Sequence, residues 1–292
     1  MLLSVLIPTY NQDCYNLVRD LSLQLPADAE IIVGDDGSTD LLNLAANEPI
    51  NSLPRCRLWK APENLGRARI RNRLAQMAQG EWLLFMDSDA MVTDPQYLQR
   101  YLDSRVADVV VGGTRAPERC PSPEVSLRYR YERRYWERAT AERRNQRPYE
   151  SFTAFNFMIR RTVMMETGFD EACSTYGHED TLLGRTLEAK GKTILHIENP
   201  LVHMGLDSNE DFMRKTELAL EALLDQADTL GQSSTLLKAY RKLKALHLLP
   251  LVRLWHALAG TWERKNLTGK HPCLTLFNIY KLGYYERIEG RE

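Results

Sequence analysis

The feature that most constrains this chain is an alternation over its first two hundred residues, where short β-rich apolar runs trade places with longer segments of helical period. Residues 4–7, 30–34, 57–60, 82–86, 109–112, 157–159 and 194–197 read as strands. Between them Leu17, Leu21 and Leu25, then Ala68, Ile70, Leu74 and Met77, recur near helical spacing. Strand and helix in turn predict an α/β sandwich built around a mainly parallel sheet.

Composition is compatible with that fold and removes several others. The 292 residues are 43% apolar and 26% charged, with a net charge of -1. A chain of this length and make-up buries enough surface for one large domain, alone or with a smaller appendage. Disordered and fibrous classes are excluded, and near-neutrality argues against a dedicated nucleic-acid binder. Cys14, Cys56, Cys120, Cys173 and Cys273 are odd in number, widely spaced and without a C-x-x-C pair. That pattern predicts reduced thiols in a cytoplasmic protein. The opening MLLSVLIPTYN has no basic n-region and is broken at Pro8, so it reads as a first strand and not as a signal. Apolar stretches such as residues 248–252 fall far short of the ~18 residues of a spanning helix, so no membrane crossing is expected.

In open α/β sheets ligands sit beyond the carboxyl ends of the strands. Two of those exits are acidic: GDDGSTD at 34–40 and DSDA at 87–90. Asp87-Ser88-Asp89 follows the apolar WLLFM directly. Two carboxylates one residue apart at a strand end can hold a hard divalent cation that keeps positions open for phosphate oxygens. The same triplet also suits a simple turn, because Asp favours turns.

Two further motifs carry chemistry. In NLGRARIRN, residues 64–72, Gly66 stands where a helix would start, and Arg69 and Arg71 fall on different faces of it. Both arginines could be surface charges, or Arg71 could offer its planar fork to a base or phosphate. In GHEDTLLGRTL, residues 177–187, Glu179 and Asp180 occupy the first turn of a helix built on Leu182, Leu183 and Leu187. The helix dipole alone accounts for carboxylates there. A catalytic reading needs one of them aimed into the cleft as a proton acceptor. Other motifs are missing: there is no G-x-G-x-x-G, Gly191-Lys192-Thr193 lacks the first glycine of a phosphate loop, and no H-E-x-x-H or zinc spacing occurs.

The remainder differs in charge. Residues 116–150 hold nine Arg and six Glu around YRYERRYW, the pattern of a solvated charged helix or of an anion site. Residues 205–230 are acidic and helical, whereas the chain from 233 onward has eleven Lys and Arg against four Glu. Over 236–249, Leu236, Leu237, Tyr240, Leu243, Leu246 and Leu248 gather on one helical side, away from Lys238, Arg241, Lys242 and Lys244. Such a helix either covers a core or lies on anionic lipid, with Trp255 and Trp262 suited to the interface.

Taken in order, VLIPTYN, IIVGDDGSTD, NLGRARIRN, LLFMDSDA, GFDE and YGHEDTLLGRTLEAKG resemble the family 2 glycosyltransferases of GT-A fold over roughly residues 4–203. The resemblance implies a catalytic domain at 1–205, with a nucleotide-binding half over about 1–113 and an acceptor half over about 114–205; the helical and charge patterning beyond it reads as a helical C-terminal region at 206–292. It implies that Pro8, Thr9 and Tyr10 line a nucleotide pocket and that Asp35 or Asp36 meets the base, usually uracil, beside Arg71. Asp87, followed by Ser88, matches the ribose-side acid, and Asp89 matches the ligand of Mn²⁺ or Mg²⁺ at the diphosphate. His203 matches a second metal ligand found in some members. Asp180, with Glu179 as the competing choice, matches the catalytic base.

The function implied is inverting transfer of a sugar, from a UDP-sugar above all, to a hydroxyl of a glycan or lipid-linked acceptor, as in polysaccharide biosynthesis. The basic, apolar segment from Leu236 to Trp262 adds the expectation of a cytoplasmic protein with peripheral contact at the inner membrane face. No Q-x-x-R-W motif is present, which disfavours a membrane polymerase. A metal-dependent nucleotidyltransferase and a non-catalytic sugar-nucleotide-binding module are the alternatives. The first would need a basic, Gly-rich triphosphate loop near the N-terminus, and VLIPTYNQD offers none.

Overall fold

The structure, a computed structural model, describes residues 1–172, 179–225 and 234–290. Cys173, Gly177 and His178 of the strings discussed above lie outside the described residues. The chain divides into two units, Met1–Ala116 with Tyr135–Gly205, and Pro117–Arg134 with Leu206–Glu292. Residues 117–134, assigned from the sequence to the acceptor half, thus cluster with the C-terminal helices.

In the first unit, the seven expected strands form one sheet. They are β1 (Leu3–Thr9), β2 (Ala29–Asp35), β3 (Cys56–Lys60), β4 (Trp82–Met86), β6 (Val109–Val111), β8 (Asn156–Arg160) and β9 (Ile194–His196), with β5 (Ala90–Met91) and β7 (Thr114–Arg115) between them in the chain. The spatial order is β3-β2-β1-β4-β8-β6-β9. Only β8 runs against its neighbours β4 and β6; the other pairings are parallel.

Both faces of this sheet are apolar because alternate residues of each strand feed opposite layers. Leu3, Val5 and Ile7 of β1, and Trp82, Leu84 and Met86 of β4, pack on α1 (Tyr15–Ser22) and α4 (Tyr97–Asp103). Leu6, Leu83 and Phe85, with Phe157 and Ile159, face α3 (Arg67–Met77), α7 (Arg161–Thr167) and α8 (Glu179–Ala189). Helices α2 (Leu41–Asn47) and α6 (Ala141–Asn145) complete the unit, with α5 (Ser126–Trp136) crossing the boundary between units. A second sheet of order β5-β10-β7 brings β10 (Leu201–His203) beside Ala90 and Met91. β5 and β7, two residues each, are too short to carry a readable period, and the sequence does not show this sheet.

The second unit packs α9 (Asn209–Asp225), α10 (Thr235–Ala245), α11 (Leu249–Leu267) and α12 (Leu274–Glu289) around Leu127, Phe212, Met213, Leu237, Tyr240, Leu267 and Phe277. The amphipathic helix read over 236–249 is in fact two helices. His247 takes φ 56 between them, and Pro250, which has no N–H to donate, sits in the first turn of α11. No helix among the described residues is long and apolar enough to cross a membrane.

Candidate active site

The chain reverses direction across the sheet at β1: β2 and β3 lie to one side and β4 to the other. A crevice opens at the carboxyl ends of the strands at such a switch point. Here it is a cleft of about 420 Å³, within the range of small-ligand sites. Its floor comes from the strand exits: Pro8 and Thr9 at the end of β1 with Tyr10 after it, Asp36 after β2, and Asp87, Ser88 and Asp89 after β4. Gly66, Arg67, Ile70 and Arg71, at the start of α3, form the wall.

The two acids at the exit of β2 do different work. Asp35 accepts the Ser38 N–H at 2.9 Å and so shapes the turn; it does not line the cleft. Asp36 lines it, and accepts the N–H groups of Leu65 at 2.7 Å and Gly66 at 3.0 Å. Burial holds the Asp36 carboxyl above the ordinary carboxylate range against the pull of those two donors. The bonds pin the loop leading into α3. Gly66 can turn there because it adopts φ 86, a left-handed conformation that side chains other than glycine's disfavour.

Arg71 is the hub. Only 4% of its side chain is exposed, and it bonds Asp87 at 2.6 Å. It also lies 3.9 Å from Glu179 and 5.5 Å from the Phe169 ring centroid. Arg69, on the other face of α3, is exposed and pairs with Glu171 at 3.7 Å. The buried arginine therefore links the acid after β4 to the acid that opens α8.

Glu179 and Asp180 are distinguished by their surroundings. Glu179 is buried and also lies 3.6 Å from Arg67. Asp180 is half-buried and accepts the Ala154 N–H at 3.0 Å. Burial pushes its carboxyl up to about 6, against the opposing charge of Arg71. Neither residue lines the cleft itself.

On the other rim, Asp89 and His203 meet. The imidazole Nε2 stands 3.2 Å from Oδ2 of Asp89, and the ring packs edge-on against Phe155. Burial raises the Asp89 carboxyl, but the hydrogen bond and charge of His203 outweigh it, and the net shift is downward. Its other oxygen, Oδ1, is buried with no hydrogen-bond partner among the described residues. A buried orphan oxygen of this kind calls for a donor or a cation. Hard carboxylate oxygens with an adjacent imidazole suit Mn²⁺ or Mg²⁺. Among the described residues no three His, Cys, Asp or Glu side chains enclose an ion. An open pair is what a metal completed by phosphate oxygens requires.

Gln12, Asn64 and Arg67 also line the cleft, though their roles were not read from the sequence. Only the closeness of Asn64 and Arg67 to Gly66 pointed to them.

The sequence model described as glycosyl transferase family 2 matches residues 4–168, more than half of the chain. The chain belongs to that family. It is 30% identical over 229 residues to the validoxylamine A glucosyltransferase of Streptomyces hygroscopicus subsp. limoneus, covering 65% of this chain and 48% of that protein. It is 37% identical over 95 residues to an uncharacterized glycosyltransferase of Haemophilus influenzae, covering 32% and 38%. The family 2 chain thus spans about half or less of the length of these relatives.

Among solved structures, the mannosyltransferase PcManGT from Pyrobaculum calidifontis, in complex with GDP-Man and Mn²⁺, superposes with a TM-score of 0.57 at 16% identity, over 99% of this chain and 86% of that one. S. aureus TarS 1-349 in complex with UDP-GlcNAc gives 0.52 at 19% identity, over 100% and 92%. Likeness at this level concerns the fold, and it is the GT-A arrangement that the family 2 chain shares with both.

Proposed function

We propose that this chain transfers a sugar, with inversion at the anomeric carbon, from a nucleoside-diphosphate donor, a UDP-sugar above all, to a hydroxyl of a glycan or lipid-linked acceptor. One observation carries the reading: a cleft at the switch point has Asp87 and Asp89 on its floor, and Arg71 ties that floor to the Glu179-Asp180 pair. The glucosyltransferase relative and the fold neighbours bound to UDP-GlcNAc and GDP-Man with Mn²⁺ are consistent with a nucleotide-sugar donor. The dispersed, odd-numbered cysteines are consistent with a cytoplasmic protein.

In this reading Pro8, Thr9, Tyr10 and Asp36 take the nucleoside, and Asp87, held by Arg71, faces the ribose. Asp89 with His203 would hold Mn²⁺ or Mg²⁺ as an open pair, with Asp87, engaged by Arg71, on the same cleft floor. When bound, the ion stabilises the charge that grows on the departing diphosphate. Asp180 takes the proton of the attacking hydroxyl. A carboxyl held near 6 is mostly ionised at neutral pH and more basic than an exposed aspartate, which suits a general base. Glu179, held near two arginines, fixes the start of α8 and positions its neighbour. Attack from the side opposite the diphosphate inverts the anomeric centre.

The test is a panel of UDP- and GDP-sugars, each with and without Mn²⁺, read as thermal stabilisation and as metal-dependent donor hydrolysis, with the anomeric configuration of the product followed by NMR. One donor class should raise the melting temperature. Product of inverted configuration is expected; retention would remove the single-displacement mechanism, and stabilisation by no nucleotide sugar would remove the donor assignment.

A further inference from the structure

The inward side of α11 is accounted for, since Leu249, His256, Glu263 and Leu267 are buried in the second unit. Its outward side is not polar. Leu251, Leu254, Trp255, Leu258 and Trp262 are 62%, 56%, 48%, 79% and 59% exposed. Their spacing places all five within an arc of about 100° on one helix face. Leu246 and Leu248, exposed in the turn before the helix, lengthen the stripe. Single exposed leucines are ordinary, but a contiguous apolar stripe with a polar rim marks a docking face.

Charge selects the occupant. Residues 234–273 contain eight Lys and Arg and one acid, Glu263, and three of the eight, Lys244, Arg253 and Arg264, pair with Glu289, Glu286 and Glu217 from outside that stretch. Glu263 is fully buried and bonds Trp255 Nε1 at 2.7 Å and His256 Nδ1 at 3.1 Å, so it presents no negative charge at the surface. Lys238, Lys242, Lys265 and Lys270 are exposed. A second copy of this face would bring the same positive charge to the contact, which opposes self-association. Nucleic acid could stack a base on either Trp but gains nothing from the three exposed Leu side chains that make up most of the stripe. A bilayer interface takes Leu and Trp into its acyl boundary while its anionic headgroups meet the lysines.

We propose that Leu251, Leu254, Trp255, Leu258 and Trp262 dock this chain on an anionic phospholipid surface. No residue of the cleft takes part, so the proposal stands or falls apart from the donor reading.

The experiment is co-sedimentation of the full chain with phosphatidylcholine vesicles and with vesicles containing equimolar phosphatidylglycerol, at low and high salt. Binding is expected on the anionic vesicles at low salt, weakened by salt. Leu258→Glu/Trp262→Glu and the milder Leu251→Ser/Leu258→Ser should each cut the vesicle-bound fraction by roughly tenfold or more, with an unchanged melting temperature because these side chains are exposed. Lys242→Glu/Lys265→Glu should weaken binding to anionic vesicles alone. No binding at low salt overturns the proposal. So does binding that follows charge but survives both face variants, which would mark a polyanion site, and so does a dimer, seen by light scattering, that the face variants dissolve while vesicles stay unbound.

Discussion

Asn72 and Phe169 hold each other by two opposed hydrogen bonds: the side-chain amide of Asn72 donates to the Phe169 carbonyl at 2.9 Å, and its carbonyl accepts the Phe169 N–H at 2.8 Å. The same amide reaches Glu171 at 2.9 Å. The helix whose start lines the cleft is thereby fastened to the segment that leads toward Glu179 and Asp180, and Arg71, one residue earlier, packs on the Phe169 ring.

Replacing Asn72 by Ala leaves the Phe169 main chain without these partners, at a cost of about 1–3 kcal/mol in stability. Its larger effect should fall on kcat, with the donor KM nearly unchanged, because the donor floor is built from other residues. Steady-state kinetics alongside thermal melts separates the two. Equal kcat in a destabilised variant would show the tie to be structural only.

Arg71→Lys keeps the charge but loses the fork that joins Asp87, the Arg67 carbonyl and Phe169. Transfer is expected to fall at least ~10-fold, with weaker donor binding measured by calorimetry. Full activity in the lysine variant would mean that charge alone suffices.

Asp180 sets a pH dependence. Its carboxyl is raised to about 6, so the fold favours the protonated form; the stability this contributes is fully present below the ordinary carboxylate range and is lost as pH rises through about 6. Asp180→Asn should therefore melt higher than the parent at pH 7.5 and nearly level with it at pH 4. Activity runs the opposite way, climbing as Asp180 ionises near pH 6 and dropping by at least ~10² in the variant. A dead Glu179→Gln beside an active Asp180→Asn would exchange the two roles.

Asp89 and Gly205 make a second test. A Cβ at Gly205 would collide with the Asp89 carboxylate, which is pressed against the main chain there. Gly205→Ala should displace that carboxylate and raise the Mn²⁺ concentration for half-maximal activity by about 10–100-fold, as should His203→Ala, while Asp89→Ala abolishes metal-dependent turnover. Metal titrations of donor hydrolysis read all three. A Gly205→Ala enzyme with the parent's metal response would show that Asp89 is not confined in this way.

The sequence by itself determined the seven strands of the main sheet, because strands covered on both faces are largely apolar runs, as WLLFM and VVV are, and these runs alternate with segments of helical period. It also located the acidic exits at Asp35-Asp36 and at Asp87-Ser88-Asp89, since exits follow from strands, while the structure alone put Asp36 and not Asp35 in the cleft. Tertiary structure decided what local pattern leaves open. Arg69 and Arg71 belong to one motif, and only packing against Phe169 and Asp87 made Arg71 the buried one. Glu179 and Asp180 share a helix turn, and only Arg67, Arg71 and the Ala154 N–H gave them different partners. The pairing of His203 with Asp89 spans 114 residues and depends on β10 meeting Ala90 in a sheet too short to leave a period in the chain. The sequence pointed to Trp255 and Trp262 but left a core-covering and a lipid-facing helix open, because hydrophobic spacing shows that a helix has an apolar face and not whether another element covers it; the structure leaves that face of α11 exposed among the described residues.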